Sequence, residues 1–237
     1  QLLGWPDQGL AFDVAVHLGT LIAVVTYFRA DILAVIQGFF KAAHTKKMNT
    51  QAQLGVAVVV GTIPAVIIGF LFKDFIEDNL RSSQVIAFTT IFFGLLLWQA
   101  DKTGKRILKI EALQANKALV IGLAQALALI PGTSRSGITM TAALMLGFDR
   151  TTAARFSMLL SIPLILAASL LKTLDLLAST APVPWLLIGL GMLVATVSAY
   201  LCIHYFLKLL EQMGMLPFVV YRLLLGAFLL FFIGLNG

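Results

Sequence analysis

The seven residues Pro131 to Gly137, PGTSRSG, put an arginine, two serines, a threonine and two glycines in the middle of an apolar segment. They sit inside "LVIGLAQALALIPGTSRSGITMTAALMLGF", where Arg135 is the only ionisable group between Lys117 and Asp149. Gly132 and Gly137 let backbone approach a ligand closely. Thr133, Ser134 and Ser136 add hydroxyl donors. Arg135 adds a planar, permanently charged fork matched to phosphate oxygens. A proline–glycine break frees backbone N–H groups. The half-helix expected from Ile138 would bring the positive end of its dipole to the same spot. Each of these elements favours an anion. The competing reading is a kinked helix whose Arg135 pairs with a carboxylate elsewhere. Carboxylates are scarce in the apolar stretches, where Asp13 is the only one well inside. An arginine within a membrane is costly and marks function by default.

The elements that must position this motif are membrane helices. The chain has 237 residues, 59% hydrophobic and 12% charged, whereas soluble domains carry about 25% charged residues. That composition excludes a single aqueous core. The net charge of +6 reads as a topology signal facing anionic lipid. No basic run is interleaved with aromatics, so no nucleic-acid partner is expected. The lone Cys202 excludes an internal disulfide and reads as a buried small hydrophobe. The start, QLLGWPDQG, lacks the basic and apolar regions of a signal peptide.

A bilayer core of ~30 Å takes about 20 apolar helical residues. Six stretches qualify: 10–28, 53–72, 83–99, 156–171, 185–207 and 218–235, with 30–40 expected as an interfacial helix. Pro131 and Gly132 split a seventh into 118–130 and 138–148. At ~1.5 Å per residue neither half can cross. The segment is either one broken span or a re-entrant hairpin. Lysine and arginine favour the cytoplasmic side. A hairpin divides the loop charges twelve inside to three outside, a full crossing ten to five. The hairpin is therefore expected, with both chain ends outside. The fold class is an all-α polytopic membrane protein with six transmembrane helices plus that hairpin.

The chain also repeats itself weakly. "LLGW" at 2–5 resembles "MLGF" at 145–148, and "FDVAVHLG" from Phe12 resembles "FSMLLSIP" from Phe156. "GTIPAVIIGFLF" from Gly61 lies against "GMLVATVSAYLC" from Gly191, and Gly94 against Gly226. The order is kept and the orientation reversed. This predicts a single membrane domain over 1–237 built from inverted repeats, 1–100 and 112–237, the second holding the hairpin at 118–148. Such folds place a ligand near the midplane at the repeat interface. The repeat further predicts a counterpart hairpin ahead of Gln1.

"PGTSRSG" followed by "ITMTAALMLG" resembles the second signature of the undecaprenyl-diphosphatase family, the bacitracin-resistance proteins of bacterial membranes. "FDVAVHLGTL", "TIPAVIIG" and "PFVVYR" resemble that family too, in the right order. The resemblance implies an integral membrane hydrolase of the bacterial plasma membrane. It would take the terminal phosphate from undecaprenyl diphosphate at the external or periplasmic side, returning the monophosphate carrier to wall synthesis. Ser134 and Arg135 match the family's phosphate-handling pair, Thr139 a hydroxyl just after the signature, and Arg222 in "PFVVYR" a second basic residue. The family's first signature, a glutamate-rich segment ending in a serine- and histidine-bearing loop, has no match. A divalent cation, Mg or Ca, is implied, with its ligands in that segment. The nucleophile is left open between a serine hydroxyl, a histidine of that segment and water.

Asp13 and His17 are four apart and share a helix face. They are either supporting groups that handle protons or a polar pair at a helix end. The partners expected are a polyprenyl diphosphate lipid and membrane lipids, with a homodimer left open. The functional alternative is a transporter or flippase for an anionic polyprenyl phosphate lipid, because inverted repeats suit alternating access equally well.

Overall fold

The computed structural model describes residues 9–178 and 185–236. Among them are ten α-helices: α1 Gly9–Tyr27, α2 Arg29–Thr45, α3 Thr50–Leu71, α4 Lys73–Asn79, α5 Ser83–Thr103, α6 Ala115–Ala126, α7 Arg135–Met145, α8 Arg150–Ala178, α9 Trp185–Met213 and α10 Leu216–Asn236. Two 3-10 turns, Ile110–Ala112 and Leu127–Leu129, interrupt the connections. Five helices are long and apolar enough to cross a membrane, and α1 with α2, bent by 70°, makes a sixth if the pair counts as one span. The chain is an all-α multi-pass membrane protein. The "LLGW" stretch at 2–5 lies outside the described residues.

The chain forms two compact units, Gln1–Ile32 with Ser161–Phe206, and Leu33–Leu160 with Leu207–Gly237. In the first, α1 meets α9 through small residues: the Thr196 hydroxyl lies 3.1 Å from Gly19 O and 2.8 Å from its own Met192 O. Such close helix contact is how membrane helices gain packing when lipid removes the hydrophobic drive. Tyr27 meets Tyr200 edge-on at 5.3 Å, and its hydroxyl reaches His204 Nδ1 at 3.5 Å. Cys202 on α9 is exposed, not buried as expected. In a lipid setting an apolar run on a span needs no protein cover.

The second unit carries the motif. Asn49 caps α3, accepting from Ala52 N at 3.0 Å, and donates to Gly38 O at 2.8 Å, which ties α2 to α3. α6 lies across α3 at a glycine-on-glycine contact, where a Cβ on Gly122 would collide with Gly61 O and Cα. α7 packs on α5 and on α6, and α5 pairs with α10.

Residues 115–145 form a hairpin. Its arms, α6 of 12 residues and α7 of 11, span roughly 18 Å and 16 Å and stop short of a bilayer core. Its two ends lie side by side. Ile107 N and Leu108 N both donate to Gly147 O at 3.0 Å, and Asp149 N donates to Leu108 O at 3.0 Å. Lys109 pairs with Asp149 at 2.7 Å, and Lys117 Nζ sits 5.3 Å over the Phe148 ring. A broken span would separate these ends by the membrane's thickness.

Several boundaries differ from expectation: α8 covers Arg150–Ala178 against 156–171, and α9 runs to Met213 against 207. α2 runs to Thr45, past the expected interfacial segment, since its amphipathic sequence dilutes a hydropathy signal without weakening the helix. Residues 73–79 are a short helix; Asp74 and Asp78 are exposed on it. Among the described residues no three or more His, Cys, Asp or Glu side chains come together as a metal site. The second arm begins at Arg135, three residues before Ile138. The Ser134 hydroxyl accepts from Gly137 N at 3.3 Å, and that N-cap starts the helix inside the motif.

Candidate active site

The loop between the arms takes its shape from two residues of positive φ, Gly132 at 87° and Ser134 at 67°. Gly132 needs to be glycine twice over. Its φ disfavours a side chain, and a Cβ would run into Thr89 Oγ1 and Ile86 O. Ser134 has no such licence; with ψ of 112° it stores strain that its capping bond offsets only in part. Loop strain at this point aims the first turn of α7, and so aims Arg135.

That first turn is the candidate anion site. Arg135 opens α7, so its side chain and the helix's positive end share one location. Its Nη1 is buried and has no hydrogen-bond partner; the buried Thr133 hydroxyl has none either. Two orphaned donors, one of them charged, cost several kcal/mol in an apolar setting. Buried polar groups left unpaired in a folded protein call for a specific reason, and an oxyanion accepting from both supplies one. The cap occupies the amide of Gly137, leaving those of Arg135 and Ser136 without intrahelical partners.

Arg222, on α10, reaches the same loop from the other side. Its Nη2 donates to Gly132 O at 2.8 Å and to Thr90 O at 3.1 Å, and its Nε to Thr90 O at 3.3 Å. Its Nη1 lies beside Gly137, 3.6 Å from where a Cβ would stand. Gly132, Thr133, Ser134, Arg135, Ser136, Gly137 and Arg222 are thus gathered at one place.

Thr139 is not at that face. It is buried, and its hydroxyl lies 2.7 Å from Ser157 Oγ, 3.0 Å from Arg135 O and 3.1 Å from Ser136 O. It ties α7 to α8 beneath the loop. Asp13 and His17 belong to the other unit. Asp13 forms an ion pair with Lys172, and His17 Nδ1 donates to Asp13 O at 2.8 Å, one turn back on the same helix. Both bonds fit a polar pair at a helix end.

Sequence reasoning missed Thr89 and Thr90. Thr89 Oγ1 donates to Pro131 O at 2.6 Å, and Thr90 Oγ1 to Gly132 O at 3.3 Å. A threonine pair in an apolar span was the available signal. It also missed Gln125, whose buried amide donates to Gly61 O at 3.3 Å while its Oε1 stays unpaired.

The sequence matches the family described as bacitracin resistance protein BacA over residues 1–228. An undecaprenyl-diphosphatase of Alcanivorax borkumensis is 59% identical over 233 residues, covering 98% of this chain and 88% of that protein. One from Alteromonas mediterranea is 58% identical over 233 residues, with the same 98% and 88% coverage. Undecaprenyl-diphosphatase 1 of Pseudoalteromonas translucida is 56% identical over 235 residues, 99% of this chain and 88% of that protein. Likeness of this depth spans both arms of the hairpin and every helix that frames them, so the chain belongs to the BacA bacitracin-resistance family.

Proposed function

We propose that the protein hydrolyses undecaprenyl diphosphate to undecaprenyl phosphate and inorganic phosphate. Family membership supports the activity and the polyprenyl diphosphate substrate. The observation on the molecule itself that carries it is the pair of buried, unpartnered donors, Arg135 Nη1 and Thr133 Oγ1, at the start of α7. Over the whole reaction a water oxygen ends on the terminal phosphorus and its proton passes to solvent, whether water attacks directly or follows a serine or histidine nucleophile. The bond from that phosphorus to the bridging oxygen breaks, and the lipid monophosphate leaves with the bridging oxygen. Negative charge grows on the oxygens around the terminal phosphorus and on the bridging oxygen. Arg135, Thr133 and the first-turn amides of α7 stabilise that charge with donors already in place. Ser134, with its oxygen held as a cap, keeps its proton for donation to phosphate. Ser136 flanks it on the same turn.

The described residues do not supply a ligand set for a divalent cation, so no step is routed through one. A cation requirement stays a proposal, checked by whether chelation abolishes turnover and added Mg or Ca restores it. The proposed site of action is the outer face of the bacterial plasma membrane, with the hairpin's two ends at the cytoplasmic face. Single cysteines introduced at Lys117 and Asp149 should both label from the cytoplasm. Labelling from opposite sides would sink that topology.

The deciding assay is phosphate release from undecaprenyl diphosphate by purified protein. Lipid transfer across vesicles without phosphate release would favour the flippase instead. Short water-soluble diphosphates should be cleaved much more poorly than prenyl ones, because remote binding to the tail assists the chemical step. Equal specific activity on both would contradict a lipid-reading site.

A further inference from the structure

We propose that the shape of the anion loop is imposed from outside the motif, by Thr89 and Thr90 of α5 and Arg222 of α10, acting on the carbonyls of Pro131 and Gly132. The inference rests on the phosphatase reading for its kinetic readout and adds positioning residues to it. Positive φ at Ser134, which glycine at 132 adopts without strain, must be sustained by surroundings. Within the loop only Thr133 N to Ile130 O, at 3.2 Å, and the Ser134 cap contribute. The remaining ties come from the frame. The Thr89 hydroxyl also lies near Val85 O and Ile86 O, at 2.8 Å and 3.2 Å, yet Pro131 O is the nearest of its three acceptors at 2.6 Å. Gly132 O takes a donor from each neighbouring helix, Thr90 and Arg222.

The consequence is directional. In a trans peptide the carbonyl and the next residue's N–H point to opposite sides. Holding the carbonyls of Pro131 and Gly132 on α5 and α10 turns the amides of Gly132 and Thr133 away from that frame. Thr133's amide is taken by Ile130, which leaves Gly132's as a further donor beside the orphaned Thr133 hydroxyl. Arg222 in this scheme works on backbone, with Nε and Nη2 both spent on carbonyls. Gly94 is part of the device. A Cβ there would stand 3.3 Å from Arg222 Cβ and 3.5 Å from its Nε, so the glycine gives the arginine its path.

The test uses Thr89→Val and Thr89→Ser in purified protein, with two measurements. The first is phosphate release from undecaprenyl diphosphate; the second is hydrogen exchange of the amides at 132–138. Valine keeps the shape and loses the donor; serine keeps the donor. Thr89→Val should lower kcat about tenfold and speed loop exchange, with the melting temperature little changed, whereas Thr89→Ser should stay within about twofold of wild type. If Thr89 acts through the loop that carries Arg135, its cost should largely vanish in an Arg135→Lys background, where independent sites would multiply. Unchanged loop exchange in Thr89→Val, or full multiplication of the two rate losses, overturns the proposal. A wild-type protein that releases no phosphate overturns the phosphatase reading instead, and loop exchange still decides the clamp.

Discussion

Two arginines of the second unit sit in opposite circumstances. Arg150, at the start of α8, meets Asp101 at the end of α5 through both edges of its fork, Nε to Oδ1 at 2.6 Å and Nη2 to Oδ2 at 2.9 Å. Asp101 is buried and also accepts from Met215 N at 3.4 Å, so one carboxylate joins α5, α8 and the turn into α10. Arg135 has no carboxylate, and its Nη1 is orphaned. A paired, half-buried arginine is explained by the fold that contains it. An unpaired one is a standing cost, and a ligand that pairs with it in use accounts for its being kept.

The comparison breaks most decisively at Arg135. Arg135→Ala should lose nearly all turnover, since removing a charged donor to a developing phosphoryl charge costs about 3–4 kcal/mol, several hundredfold or more in rate. Arg135→Lys should lose most of it, because a point charge cannot form the fork. The alanine variant should melt no earlier than wild type, having shed a desolvation cost that the lysine variant keeps. Early melting with normal turnover per folded molecule would make Arg135 architectural, like Arg150. Asp101→Ala should do the reverse. It strands a partly buried cation and costs about 2 kcal/mol of stability, read as a lowered melting temperature with turnover per folded molecule retained. Loss of turnover at unchanged stability would place Asp101 in the chemistry.

Smaller effects sharpen the contrast. Ser134→Gly should raise stability by about 1 kcal/mol, as strain at φ 67° is relieved at little capping cost, while activity falls with the hydroxyl. Ser134→Ala should lower both. Full activity in the glycine variant would remove Ser134 from phosphate handling. Smallest is the pair at the hairpin's base. Burial raises the Asp149 carboxyl, but hydrogen bonds from Lys109 and Thr152 outweigh it and hold the carboxyl below its ordinary range. A depressed carboxylate stabilises the fold above its unfolded pKa, and that contribution fades as pH falls through the folded value. Asp149→Asn should therefore lower the melting temperature slightly at neutral pH and make no difference in strong acid. A constant gap across that range would mean that ionisation is not what matters there.

Much of this was readable from residue types. The isolated charge in an apolar run located Arg135, and loop charges alone chose a doubled-back segment, which the Leu108–Phe148 bridge matches. The helix start differs from expectation because Gly132 and Gly137 bracket a run of hydroxyl residues around Arg135 that reads as loop. Only the Ser134 cap, a three-dimensional fact, lets Gly137 lie inside α7. Thr89 gave no sign because a threonine in a span ordinarily returns its hydroxyl to its own helix, and Val85 O stands 2.8 Å from Thr89 Oγ1 as such an acceptor. Thr139 and Arg222 were gathered by likeness to a motif. Likeness places residues near a site without saying which way they face: Thr139 faces Ser157, and two nitrogens of Arg222 face carbonyls.

The bridge at the hairpin's base also bears on how the protein is made. Leu108 can meet Phe148 only after the ribosome has delivered the whole intervening segment. Until then neither arm is long enough to lodge across the bilayer on its own. Arg135 therefore emerges before its enclosure exists. Its transfer out of water belongs to the assembly of α5, α7 and α10, not to the membrane insertion of any one segment. Of its frame, α3 and α5 precede it in the chain and offer the glycine crossing and the two threonine donors, while α10, made last, brings Arg222. Cells that make this protein slowly, or at low temperature, would hold the charged loop longest in its open form, exposed to quality-control proteases that survey unfinished membrane chains.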